Sequence, residues 1–158
     1  MKRIVPLFLS FVLAFAILIS IANAEQMYVL CRPKDYVNVR SFASTKSEVA
    51  GRLDCGDSVE TDGESKRDKQ GRLWIKVYGF EGDAWICSMY LQKTPVEVGK
   101  CYGCVVSNGR TALRRSPNGK RLKWLENGTE ITILAMSEEW ALTTEGYVKR
   151  DYVDVYYE

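Results

Sequence analysis

Five cysteines and the complete absence of histidine set the chemistry open to this 158-residue chain. Cys101-Tyr102-Gly103-Cys104 has the Cys-x-x-Cys spacing shared by redox sites, local disulfides and half of a zinc ribbon. A thioredoxin-type site needs a helix after the motif to depress the thiol pKa, and Val105-Val106 reads instead as the start of a strand. Zinc would need two further ligands, from other cysteines or from carboxylates. Cys31 and Cys55 flank a strand and the loop behind it. A bridge between them would close a loop of about 25 residues and contribute on the order of 3 kcal/mol to a small domain. The expected disulfide cysteines are therefore Cys31, Cys55, Cys101 and Cys104, with Cys87 left as the free or intermolecular thiol.

Without an imidazole there is no general base for a Ser or Cys nucleophile of the usual triads, and no ligand of the commonest catalytic zinc type. Glycosidase chemistry would need two carboxylates facing each other across a cleft. The acids here fall on polar turns such as Asp62-Gly63-Glu64 and Ser137-Glu138-Glu139. The reading is a non-enzyme with no catalytic residues, no metal and no cofactor.

Lys2 and Arg3, an apolar run from Ile4 to Ile21 and the Ala22-Asn23-Ala24 site have the layout of a secretory signal over residues 1–24. Left uncleaved, the run is about long enough to hold the protein to a membrane, and this is the only membrane association expected. Removing Lys2 and Arg3 leaves 20 basic residues against 20 acidic ones. Such a balance excludes nucleic acid as a partner, since phosphate neutralisation needs a basic excess. Arg110, Arg114, Arg115, Lys120, Arg121 and Lys123 do crowd together, as a solvated face or as a surface for an anionic polymer. A secreted or cell-envelope location follows from the signal and fits the use of cysteine.

Behind the signal, the chain repeats one order of elements. Val37-Asn38-Val39-Arg40, Gly56-Asp57, Trp74-Ile75-Lys76-Val77 and Trp85 to Tyr90 are answered by Ala112-Leu113-Arg114, Asn127-Gly128, Trp140-Ala141-Leu142 and Tyr147 to Tyr152. Helix signals are scarce and period-two alternation recurs, as in Val37/Val39, Ile75/Val77 and Ile131/Ile133. Gly, Asn and Asp punctuate the strands. Trp74 and Trp140 hold matching places and are expected in the packing. The polar stretch Ser65 to Gly71 reads as a solvated hairpin loop, and Thr94 to Gly99 as a short hinge.

Val37-Asn38-Val39-Arg40-Ser41, Ser44-Thr45-Lys46-Ser47, Gly56-Asp57, the Trp74 strand and Ala84-Trp85-Ile86 through Tyr90-Leu91 resemble the bacterial SH3 (SH3b) family. The likeness covers Tyr36 to Leu91, with Ala43 where the family often has Pro and Ala84 where it often has Gly. The second half looks like a diverged copy. The resemblance implies an all-β fold of two small SH3-like barrels in tandem, over residues 25–95 and 96–158. It also implies binding of cell-wall peptidoglycan or its cross-bridge peptides, with Asn38, Phe42, Ser44, Trp85 and Tyr90 as the ligand-binding positions. The alternatives are a module that binds another secreted protein and, more weakly, a Cys-x-x-Cys thiol-disulfide protein.

Overall fold

The computed structural model describes residues 24–157, so the signal reading lies outside the described residues. The first half runs β1 (Glu25–Val29), β2 (Tyr36–Arg40), β3 (Val49–Asp54), β4 (Ser58–Thr61), β5 (Ser65–Arg67), β6 (Leu73–Lys76), β7 (Trp85–Cys87), a 3-10 turn (Ser88–Tyr90) and β8 (Leu91–Gln92). The second runs β9 (Glu97–Val105), β10 (Arg110–Arg114), β11 (Arg121–Glu126), β12 (Glu130–Met136), β13 (Trp140–Thr143), β14 (Tyr147–Lys149), a 3-10 turn (Arg150–Tyr152) and β15 (Val153–Tyr156). Among the described residues no helix is long and apolar enough to cross a membrane.

The alternation seen in the sequence sets these strands. In β2, Val37 and Val39 are 5 % and 0 % exposed, whereas Asn38 and Arg40 face outward and are half-buried. Trp74 and Trp140 are both buried. Gly56 and Gly128 close equivalent turns at φ +94° and +82°, where a side chain would be strained. Each donates its N–H at 2.8 Å to the strand behind it, Gly56 to Val29 and Gly128 to Val105.

Strand pairing follows one plan in both halves. β1 pairs with β4 and β8, as β9 pairs with β12 and β15. β2 pairs with β3 and β7, as β10 pairs with β11 and β14. Both hairpins carry a bulge at the same place, between Val39 and Arg40 and between Leu113 and Arg114. Past the bulge, Arg40 stands opposite Trp85 and Arg114 opposite Tyr147.

The expected closed barrels are not what forms. The first half has a three-stranded sheet, β4-β1-β8, and a five-stranded sheet, β3-β2-β7-β6-β5; the second half is one seven-stranded sheet, β11-β10-β14-β13-β12-β9-β15. None closes on itself. In the first half β5 occupies the edge of β6, so the two sheets meet only through isolated bonds such as Tyr78 N–H to Glu60 O at 2.9 Å. In the second, β12 and β13 do pair and join the sheets, but β11 and β15 remain as unpaired edges. Five of the six β11 residues are exposed and three of them are charged, which discourages another strand from adding there.

Two further expectations change. The stretch Ser65 to Gly71 is not simply a loop, because its first residues form β5 against β6. Thr94 to Gly99 is not a hinge, because Glu97 to Gly99 belong to β9. The halves are docked: Leu30, fully buried, packs with Ala135, Trp140, Leu142 and Tyr147 of the second half. Burying a leucine this way contributes about 1.5–3 kcal/mol.

Candidate functional site

Two adjoining hollows form on the outer face of β2. The bulge after Val39 turns Arg40 so that its Nη1 donates to Ser47 O at 2.6 Å, pinning loop 41–48 beside the strand. Asn38 and Tyr90 then line a groove of about 170 Å³ together with Tyr36, Thr45, Arg72, Trp74 and Met89. Tyr36, Val37, Met89 and Tyr90 also line a cleft of about 460 Å³ at the junction of the halves, to which Arg32, Asp35, Arg115, Ser116 and Tyr147 contribute. Groove and cleft therefore share a wall.

Asp68 organises the groove from behind. Its side chain is 4 % exposed and accepts from Arg72 Nε at 2.7 Å, Trp74 Nε1 at 3.0 Å and the backbone N–H groups of Gln70 and Arg72. Desolvation pushes the carboxyl pKa up, but the bonds from Trp74 and Arg72 outweigh it and hold the group down at about 2. Arg72 in turn reaches Thr45 Oγ1 at 3.1 Å. One carboxylate thus fixes an indole, a guanidinium and the loop that follows β2.

Of the five residues expected to bind, the structure brings Asn38 and Tyr90 together and leaves the others apart. Phe42 is 69 % exposed on loop 41–48 and does not line the groove. Ser44 faces a separate hollow with Lys46, Arg67 and Gln70. Trp85 packs with Trp74 and Cys87, both tryptophans 2 % exposed, with the Lys66 ammonium 4.5 Å from the Trp85 ring centroid; unlike Trp74, it does not line the groove. Arg72, Tyr36 and the cleft residues Arg32 and Arg115 carried no motif in the sequence. The Asp68-to-Arg72 spacing around Gly71 was the available signal.

The cysteines separate by geometry. Cys31 and Cys55 belong to one packed cluster, with Cys31 Sγ 3.7 Å from the backbone oxygens of Arg32 and Asp35 to which it donates. The interaction with Cys55, and then burial, push the Cys31 thiol far above its usual range, while the interaction with Cys31 lowers Cys55 to about 7. Cys101 and Cys104 lie on the single strand β9, three residues apart and hence on opposite faces. At about 3.3 Å of rise per residue their Cα atoms are roughly 10 Å apart, beyond the reach of a disulfide. The local bridge expected there is thus incompatible with the strand. Burial raises the Cys87 and Cys101 thiols. No group of three or more metal-ligating side chains gathers among the described residues.

Residues 35–92 match the family model described as "Bacterial SH3 domain", and a bacterial SH3-type domain is present over that segment. This domain type is non-catalytic, and the regular elements of the described residues are strands apart from two 3-10 turns. No curated protein matches the chain. Similar solved structures include NlpC2 from Trichomonas vaginalis, at 12 % identity and TM-score 0.31, covering 83 % of this chain and 48 % of that one. NlpC1 from the same organism is similar at 15 % identity and TM-score 0.30, covering 83 % and 45 %. The chain spans less than half the length of these two structures.

Proposed function

We propose that the chain is a secreted, non-catalytic binding protein of the cell envelope that recognises peptidoglycan peptides through its SH3-type domain. The carrying observation is the groove of Asn38, Tyr90, Trp74 and Arg72 that opens into the cleft between the halves. Aromatic walls accept an extended peptide with little loss of side-chain freedom. Arg32 and Arg115 supply partners for a peptide carboxylate and Asp35 for an amine, and wall peptides carry both groups. The 96–158 segment acts as a diverged second SH3-type unit, a reading supported by the shared pairing order and the matched bulges.

Sedimentation of the protein with purified peptidoglycan tests this. Saturable binding that falls at least about tenfold in a folded Tyr90→Ala variant and persists in Phe42→Ala is expected, since a buried aromatic anchor carries on the order of 2 kcal/mol or more. Absence of binding at every salt concentration would overturn the reading and favour a protein partner.

A further inference from the structure

Trp124 lies on edge strand β11, 40 % exposed, with Arg110 of β10 and Arg121 of β11 both stacked over its ring. Guanidinium carbons stand 4.6 and 4.4 Å from the ring centroid. An indole face holds a guanidinium by its flat side and leaves its edge N–H groups free to bond outward. Arg114, across from Arg121, donates to Gly119 O at 2.9 Å, and Lys123 pairs with Glu145. Neither the Arg110 nor the Arg121 guanidinium has a hydrogen-bond acceptor or ion-pair partner among the described residues, although Glu126 stands opposite Arg110 in register. Lys120 extends the exposed positive surface. The first half carries the same cross-strand stack with the partners exchanged, Arg52 of β3 lying 4.2 Å over Tyr36 of β2. There the stack is single and next to the groove. Only the second half has a second arginine on the ring.

We propose that this Arg110-Trp124-Arg121 stack is a second binding site, for a phosphodiester-linked polyol polymer. Two guanidinium forks held on one indole can each take a phosphate of a repeating chain bidentately. The open edge of β11 offers a flat track for an extended polymer. Three cations without a carboxylate partner, Arg110, Lys120 and Arg121, suit a short run of such a chain. With net charge balanced over residues 25–158 as a whole, these cations included, they fall short of the broad basic face that duplex nucleic acid requires. This site is separate from the groove of the first half, so either can fail without the other.

The test is titration of a synthetic glycerol-phosphate oligomer into the full-length protein, recovered after expression with its leader, at several salt concentrations. Arg110→Gln with Arg121→Gln should weaken binding by about tenfold or more and lower the salt slope by about one per arginine removed. Trp124→Leu, which leaves both charges but removes the stack, should also weaken it. Lys46→Gln with Lys69→Gln removes two charges from the first half and should leave affinity within about twofold. Equal loss in that control would reduce the effect to net charge and overturn the site. Absence of oligomer binding, or tighter binding of single-stranded DNA than of the oligomer, would overturn it as well.

Discussion

Cys31, in the segment that joins β1 to β2, packs in one cluster with Cys55, which follows the end of β3. The equivalent positions of the second half are Ser107 and Asn127, where Ser107 N–H donates to Asn127 Oδ1 at 2.9 Å. A sulfur pair thus stands where its counterpart uses a single hydrogen bond. Oxidation by a disulfide donor, releasing two protons and two electrons, should join Cys31 to Cys55 and leave Cys87, Cys101 and Cys104 as thiols. Peptide mapping without reduction checks this. Cys31→Ser should lower stability by about 3 kcal/mol under oxidising conditions and far less in reductant.

In the reduced protein, Cys55 has its pKa lowered to about 7, so its thiolate fraction rises through neutrality. Burial holds Cys87 and Cys101 above the usual thiol value. Alkylation by iodoacetamide between pH 6 and 8 should therefore modify Cys55 first, with a rate midpoint at about pH 7. Cys31→Ala, which removes the neighbouring thiol that lowers Cys55, should move that midpoint upward.

Asp68→Asn keeps the shape of the side chain but removes the charge that accepts from Arg72 and Trp74. The variant should fold with reduced stability and bind wall peptide several-fold more weakly, because Arg72 and Trp74 lose their anchor. Since the carboxyl pKa is depressed, its stabilising contribution is present above the unfolded-state value near 4 and fades as pH falls toward 2. Acid titration of wild type against Asp68→Asn reads that difference.

Leu30 belongs by sequence to the first half and by packing to the second. Across the same boundary Ser137 Oγ donates to Gln92 Oε1 at 3.1 Å, both side chains buried. Leu30→Ala should cost about 2–5 kcal/mol. Wild type should unfold in one calorimetric transition; two separated transitions would show the halves to be independent.

Gly146 and Ala84 hold equivalent places before β14 and β7. A Cβ on Gly146 would sit 2.5 Å from the backbone oxygen of Arg114, whereas Ala84 is accommodated fully buried. Gly146→Ala should destabilise by about 1–3 kcal/mol, measured by urea unfolding, because a backbone atom has to move.

Much of the fold was legible in the residues. Alternation marked β2, β6 and β12, Gly56 and Gly128 marked matching turns, and the two tryptophans were placed in the packing. Barrel closure was not legible, because it depends on which edges pair, and the insertion of β5 that blocks pairing in the first half reads only as polar chain. Asp68 was missed for the same reason: a polar run looks solvated until Trp74 and Arg72, brought back by the β5–β6 hairpin, bond to it. Aromatic character alone does not tell a core residue such as Trp85 from a loop tip such as Phe42. The separation of Cys101 from Cys104 could have been read, because the alternation Cys101, Gly103, Val105 already runs through the motif.

The central claim is recognition of wall peptide in the groove of the first half, and the chain's four tryptophans make it directly observable. A soluble muropeptide titrated into nitrogen-15-labelled protein, followed through the indole N–H signals, reports on each ring. The account predicts a saturable shift of the Trp74 signal, whose N–H bonds Asp68 at the groove wall, with Trp140 unmoved. An unchanged Trp74 signal at saturating muropeptide, or shifts confined to Trp124, would contradict it.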